Sequence, residues 1–194
     1  MTASERVALI RPGVEGRGGT WADLGAGSGT FTLALASLLG PEGVIHAVDR
    51  DARALRLLEQ PAEDGAGPGT MAPAARPLGA RIVCRAADFT RELDLPPLDG
   101  VLLANSLHFQ PDPCAALRHA ARWLKPGAVL IVVEYDVARP NPWVPHPLPW
   151  SDFPHAAECA GLVTPRLLAN VPSAYHGRMY AAACRKPKAP SRPE

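Results

Sequence analysis

Short apolar runs alternate along the chain with stretches whose apolar residues recur at helical spacing. Such runs suit strands buried on both faces, and the stretches between them suit helices packed on those faces. The order therefore predicts a mainly parallel sheet flanked by helices. In the first unit, Thr20 to Leu24 reads as a strand and Gly25 to Gly29 as a turn. Thr30 to Leu39 follows as a helix with Leu33, Ala36 and Leu39 on one face, and Val44 to Val48 as a second strand. Gly40-Pro41 closes that helix, because glycine tolerates the terminal conformation and proline cannot continue it. Asp51 stands where it can cap a helix through Ala54, Leu55 and Leu58 to Glu59.

Further along, Arg81 to Arg85 and Val101 to Ala104 read as strands, Cys114 to Leu124 as a helix, and Ala128 to Tyr135 as the longest strand. Gln60 to Gly79, with Pro61, Pro68, Pro73 and Pro77, predicts an irregular surface loop. Beyond Asp136 come Pro140, Pro142, Pro145, Pro147 and Pro149 with Trp143 and Trp150 among them, the texture of a long loop crossing the end of the sheet. A helix over Ser151 to Ala160 and two strands near Arg166–Ala169 and Met179–Cys184, pairing as a closing hairpin, complete residues 1–185 as one domain. Lys186 to Glu194 is polar and rich in proline, as a disordered tail would be.

Composition narrows the function classes. The 194 residues suit one domain, and 47% hydrophobic against 20% charged residues is an ordinary globular balance. A net charge of +1 argues against nucleic acid as the main partner, since such binding draws on clustered Lys and Arg. No apolar run is long enough to span a bilayer, and no secretory leader is evident, so a soluble cytoplasmic protein is expected. Cys84, Cys114, Cys159 and Cys184 are widely scattered, which predicts reduced thiols. The six histidines fit no metal-binding spacing, and no metal is expected.

The chemistry concentrates in Asp23-Leu24-Gly25-Ala26-Gly27-Ser28-Gly29-Thr30, between a strand and a helix, where open α/β sheets place ligands. Glycines let the backbone approach a ligand closely, and the helix start offers unpaired N–H groups to an anion. The third glycine comes one residue too early for the dinucleotide fingerprint G-x-G-x-x-G, and no G-K-S/T ending marks a P-loop. A dehydrogenase using NAD is thereby disfavoured.

The stretch Asp23 to Gly29 resembles motif I of the class I S-adenosylmethionine-dependent methyltransferases, and the resemblance runs from Thr20 to Asp136. It implies a Rossmann-like, doubly wound, mostly parallel seven-stranded sheet with helices on both faces and an antiparallel C-terminal hairpin. It also implies S-adenosylmethionine as cofactor. Asp23 and the amides of Gly25, Ala26, Gly27 and Gly29 would then take the methionyl end. Asp49, ending Val44-Ile45-His46-Ala47-Val48-Asp49, would accept the ribose hydroxyls, a role two carboxylate oxygens suit, with Arg50 beside it. Asp88 and Phe89 of Ala87-Asp88-Phe89 would hold adenine. Asn105, with Ser106, Leu107 and His108, resembles the small-molecule version of motif IV and would line the sulfonium pocket. Leu124-Lys125-Pro126-Gly127 is similar to the family turn before the fifth strand.

The implied reaction moves an activated methyl to a small-molecule acceptor held in line, with water excluded. His108 is the candidate base, with Tyr135 and Asp136 behind it. Asn105 is not followed by two prolines and an aromatic, so nucleobase methylation is disfavoured. About nineteen residues precede the first strand, too few for the helical cap of many relatives. The lid is therefore assigned to Asn141–Trp150, with Trp143 and Trp150 either facing an aromatic or apolar acceptor or burying against the final helix as core residues. The competing function is a cofactor-binding interaction or regulatory module without catalysis.

Overall fold

The computed structural model describes residues 1–16, 18–59, 79–173, 175 and 177–188. Seven strands form one sheet: β1 (Gly19–Leu24), β2 (Gly43–Asp49), β3 (Arg81–Ala86), β4 (Leu98–Ala104), β5 (Leu124–Tyr135), β6 (Val163–Pro172) and β7 (Arg178–Arg185). Their spatial order is β3-β2-β1-β4-β5-β7-β6, parallel except where β7 runs antiparallel to both β5 and β6. The chain winds outward from β1 to β3 and then returns to lay β4 on the other side of β1. The carboxyl ends of β1 and β4 thus face the crevice where connections leave in opposite directions.

Among the described residues five α-helices, α1 (Ala3–Ile10), α2 (Thr30–Leu39), α3 (Ala52–Glu59), α4 (Pro113–Ala121) and α5 (Phe153–Cys159), cover the sheet. Strand periodicity divides the core. Val101, Leu103, Leu130 and Val132 pack with Leu117 of α4 and Phe153 of α5 on one face. Leu102, Ala104, Ile131 and Val133 pack with Ile10 of α1 and Leu35 of α2 on the other. Adjacent strand residues point to opposite faces, so a continuous apolar run feeds both layers.

Several boundaries differ from the expectation. The helix predicted to reach Leu124 stops at Ala121, and Leu124 opens β5, paired with Leu98. Leu117, Ala120, Ala121 and Leu124 continue the helical spacing, which hides the change of structure. An irregularity then separates Leu124 from Val129, with Gly127 at φ +80°, so the expected turn is a bulged opening of the strand. An unpredicted helix, α1, stands before β1. Thr2 caps it by accepting from the Glu5 backbone N–H at 3.2 Å, and the Glu5 carboxylate accepts from the Thr2 N–H at 2.6 Å. That reciprocal pattern is legible in Thr2-Ala3-Ser4-Glu5. Lys186, placed by composition in the tail, donates its backbone N–H to the Ala128 carbonyl. Residues 60–78 and 189–194, read as a loop and most of a tail, lie outside the described residues.

Cys114 and Cys159 form a disulfide between α4 and α5, which corrects the expectation of four reduced thiols. Their separation of 45 residues says nothing of proximity, but the two helices pack side by side on one face of the sheet. Cys84 and Cys184 are outside the disulfide. Among the described residues no helix is long and apolar enough to cross a membrane.

Thiol titration of protein denatured without reductant is expected to find two thiols, Cys84 and Cys184, and four after reduction. Reduction is expected to lower the unfolding free energy by about 2–4 kcal/mol, the range for closing a loop of this size. Four thiols without reductant would show that the bridge does not form.

Candidate active site

The turn between β1 and α2 is bound to the end of β2. The N–H groups of Gly25 and Ala26 both donate to the Val48 carbonyl, at 2.8 and 3.0 Å, and the Gly27 N–H donates to Asp49 Oδ2 at 2.7 Å. Gly25 lies at φ +82°, and a Cβ there would stand 2.4 Å from the Ser106 Cβ. Gly29, at φ +81°, is the N-cap of α2 and supplies no capping side chain, which leaves the first amides of that helix available to an anion. A Cβ on Gly29 would meet Leu58 of α3 at 2.4 Å. Both glycines are therefore required by backbone conformation and by close packing together.

Asp23, at the end of β1, is 1% exposed. Its Oδ2 accepts from the Thr32 hydroxyl at 2.6 Å, and its Oδ1 has no partner. Burial pushes its carboxyl up to about 7; the Thr32 hydrogen bond opposes the rise and the negative Asp49 adds to it. Asp49 spends one lone pair of each oxygen, Oδ2 on Gly27 and Oδ1 on the Asp51 N–H at 2.8 Å, and keeps acceptor capacity on both.

A cavity of about 260 Å³ opens at the carboxyl ends of β1, β2 and β4. It brings together Gly25, Asp49, Arg50, Asp88, Phe89 and Asn105, all expected from the sequence, and adds Thr90, Ser106, Phe109 and Gln110. Asp88 Oδ1 accepts from the backbone N–H and hydroxyl of Thr90, and these bonds hold the Asp88 carboxyl below the usual carboxylate range. Asn105 adopts φ +54°, with its Oδ1 buried and unpartnered, as is the hydroxyl of Ser106 beside it. Buried polar atoms without partners in a cavity wall are the mark of a polar ligand's place.

Asn105 also lines a second and larger cavity, of about 870 Å³, on its other side. Its walls come from Met1, Glu5, Arg6 and Leu9 of the N-terminal segment, Phe31 of α2, Tyr135 at the end of β5, and Val171 and Met179 of the hairpin. The cover here is therefore α1 and not the proline-rich segment. Trp143 and Trp150 line neither cavity. Trp143 is 68% exposed, whereas Trp150 packs against the core, its ring stacked on Phe153 at 6.0 Å. Large aromatic surface gains most by burial, and Trp150 finds it against Phe153 and Tyr180.

His108 is 3% exposed and lines neither cavity. Its Nδ1 lies 2.6 Å from Glu134 Oε2, and Glu134 Oε1 accepts the backbone N–H groups of Leu107 and His108 at 2.9 and 3.2 Å. Glu134, itself 1% exposed, thus clamps the 3-10 turn Leu107–Phe109 directly after the wall residues. Sequence reasoning missed it, although a lone acid inside Ile131-Val132-Val133-Glu134 was a signal, since a buried charge persists only with partners.

A family model described as a methyltransferase domain matches residues 16–161. The chain belongs to that methyltransferase family. Its cofactor is S-adenosylmethionine, and the unpartnered polar wall beside the glycine turn fits that group. A search of curated proteins gives no match. In fold, the chain is similar to an arsenic(III) S-adenosylmethionine methyltransferase from Chlamydomonas reinhardtii, with 21% identity over 99% of this chain and 75% of that one, TM-score 0.66. It is also similar to a SAM-dependent methyltransferase from Methanosarcina mazei (17%, covering 93% and 98%, TM-score 0.65). A third likeness is to phosphoethanolamine N-methyltransferase 2 from Haemonchus contortus, solved with S-adenosylhomocysteine (15%, covering 95% and 53%, TM-score 0.70).

Asp23 carries a pH signature. Between the ordinary value of 3.8 and about 7 the folded carboxyl holds a proton that the unfolded chain releases. Stability from this group is thus greatest below about 3.8 and falls as pH rises to about 7, at up to about 1.4 kcal/mol per pH unit. Chemical denaturation across that window is expected to reveal the slope and to show a flatter one in Asp23→Asn; equal slopes would refute the buried protonated acid.

Proposed function

We propose that the chain moves the methyl of S-adenosylmethionine to a small-molecule acceptor seated in the second cavity, across the wall made by Asn105. The observation that carries this reading is that Asn105 alone among the residues lining the two cavities belongs to both. A cavity of about 870 Å³ lies in the size range of small-molecule pockets and exceeds what water binding requires.

When bound, the cofactor supplies a methyl made electrophilic by its positive sulfur. The chain's own residues then have to bind, orient and keep water out. Asp49 receives the ribose diol on the lone pairs left by Gly27 and Asp51. Asp88, kept ionised, accepts from the adenine amine beside the Phe89 ring. The loop of Gly25, Ala26, Gly27 and Gly29 and the start of α2 face the methionyl carboxylate, and Asp23 stands on the ammonium side with Oδ1 open.

A general base must come within hydrogen-bond reach of the proton it removes. His108, the base suggested by sequence, has Nδ1 committed to Glu134 and lines neither cavity, so we assign it to positioning Asn105 through the Leu107–Phe109 turn. Tyr135 does line the acceptor cavity. Its burial, reinforced by the negative Glu134, raises its pKa, so at neutral pH it offers a phenol O–H and not a base. The acceptor of the Chlamydomonas enzyme does not carry over. Arsenic(III) seeks soft thiolates, and no cysteine lines either cavity.

Calorimetry with S-adenosylhomocysteine is expected to give binding that Asp49→Ala weakens at least tenfold, the loss of a charge-assisted hydrogen bond of about 1.5–3 kcal/mol. Gly25→Ala is expected to abolish binding, because its Cβ and the Ser106 Cβ cannot share the space. Absence of uptake by the wild-type chain would sink the reading. Incubation with S-adenosylmethionine and a panel of small acceptors is expected to release S-adenosylhomocysteine only when the acceptor cavity is intact.

A further inference from the structure

The acceptor cavity holds two charged side chains that are not equally engaged. Its body is apolar, from Leu9, Phe31, Val171 and Met179; Glu5 and Arg6 of α1 are the charged side chains in its wall, and the Met1 amino group in the same wall acts on Glu5. Glu5 is committed, since its carboxylate closes the capping box on the Thr2 N–H, the first of the influences that lower its pKa. Arg6 is half-buried, and although its charge acts on the neighbouring Glu5 at longer range, among the described residues no carboxylate comes within ion-pair distance of its guanidinium.

Comparison with the other arginines sharpens this. Among the described residues, Arg11, Arg50, Arg53, Arg56, Arg81 and Arg139 also lack an ion pair, and every one of them is exposed to water. Arg85, Arg118, Arg178 and Arg185 have carbonyl, sulfur or carboxylate partners for their guanidinium groups. A guanidinium brought partly out of water beside apolar walls loses hydration and regains it only from an anion or a carbonyl. An arginine that merely spreads its stem over apolar surface keeps its head in solvent, whereas Arg6 faces a cavity large enough for a ligand.

We propose that the methyl acceptor is an apolar molecule carrying one anionic group, a carboxylate, sulfonate or phosphate, which Arg6 receives while Phe31, Val171 and Met179 hold the apolar body. The inference rests on the second cavity being the acceptor site. It makes Arg6 a specificity-determining residue on α1, the helix that roofs the site.

A matched pair of dyes tests the charge requirement without knowledge of the natural acceptor. 1-Anilinonaphthalene-8-sulfonate and N-phenyl-1-naphthylamine share an apolar frame and differ by the sulfonate. In the presence of saturating S-adenosylhomocysteine, wild-type protein is expected to bind the sulfonate at least tenfold more tightly than the neutral dye, as an ion pair with arginine predicts. Arg6→Met is expected to abolish that preference and Arg6→Lys to restore most of it, with S-adenosylhomocysteine affinity and melting temperature unchanged in both. Displacement of the sulfonate dye by 2-naphthoate or by 2-naphthyl phosphate supports the proposal and tells which anion fits better. Equal affinity for the two dyes in the wild type, a preference that survives Arg6→Met, or displacement by neither naphthyl anion overturns it. Failure of the wild type to take up S-adenosylhomocysteine would be a different result, since it overturns the cofactor reading first.

Discussion

The backbone that leaves β1 must cross the end of β2 before it can enter α2, and every amide on that path needs a partner or a ligand. The chain meets this by donating Gly25 and Ala26 to one carbonyl, Val48, and Gly27 to the Asp49 carboxylate. The turn is thereby pressed against Ser106 on one side and Leu58 on the other, close enough that a single methyl group at Gly25 or Gly29 would collide. The cofactor cavity takes its shape from this crowding. Asp49 holds the turn through Gly27 and lines the cavity with acceptor capacity to spare on both oxygens.

The second constraint is the buried acid at the end of β5. Glu134 is nearly inaccessible to water, and its two oxygens are covered by two backbone N–H groups and a histidine ring. Because these donors all come from the segment just after Asn105, the carboxylate holds the wall between the two cavities. An acid in a strand otherwise made of Val, Leu and Ile is tolerated because its hydration is replaced bond for bond. The N-terminal segment works in the same economy of partners: Met1 and, from α1, Leu9 line the second cavity, the capping box occupies Glu5, and Arg6 makes no ion pair.

Much of this was legible before any tertiary information. The limits of α2 were read to the residue, because Gly29 and Gly40 mark its ends and apolar spacing fills the interior. The cap at Asp51 was equally plain, and the structure shows its carboxylate accepting from Arg53 and Ala54. Six residues of the first cavity, Gly25, Asp49, Arg50, Asp88, Phe89 and Asn105, could be named because their motifs are contiguous and lie at strand ends, where topology delivers them together, whereas Thr90, Phe109 and Gln110 could not. Failures occurred where a local pattern had two meanings. Leu124 continued the helical spacing of α4 and yet belongs to β5, and Trp150 read equally as lid surface or as core and is packed against the core.

Sequence alone therefore determined the alternation of strands and helices, the glycine turn with its acid, and the chemical class of the cofactor, because each resides in a few neighbouring residues with a fixed spacing. Only the tertiary structure decided that His108 faces Glu134, that Cys114 meets Cys159, and that Arg6 and Met179 line one cavity. Those pairings join residues from 26 to more than a hundred positions apart. No local propensity encodes them. They follow from the strand order and from which face of the sheet each helix must bury, and those are settled by packing the whole core at once.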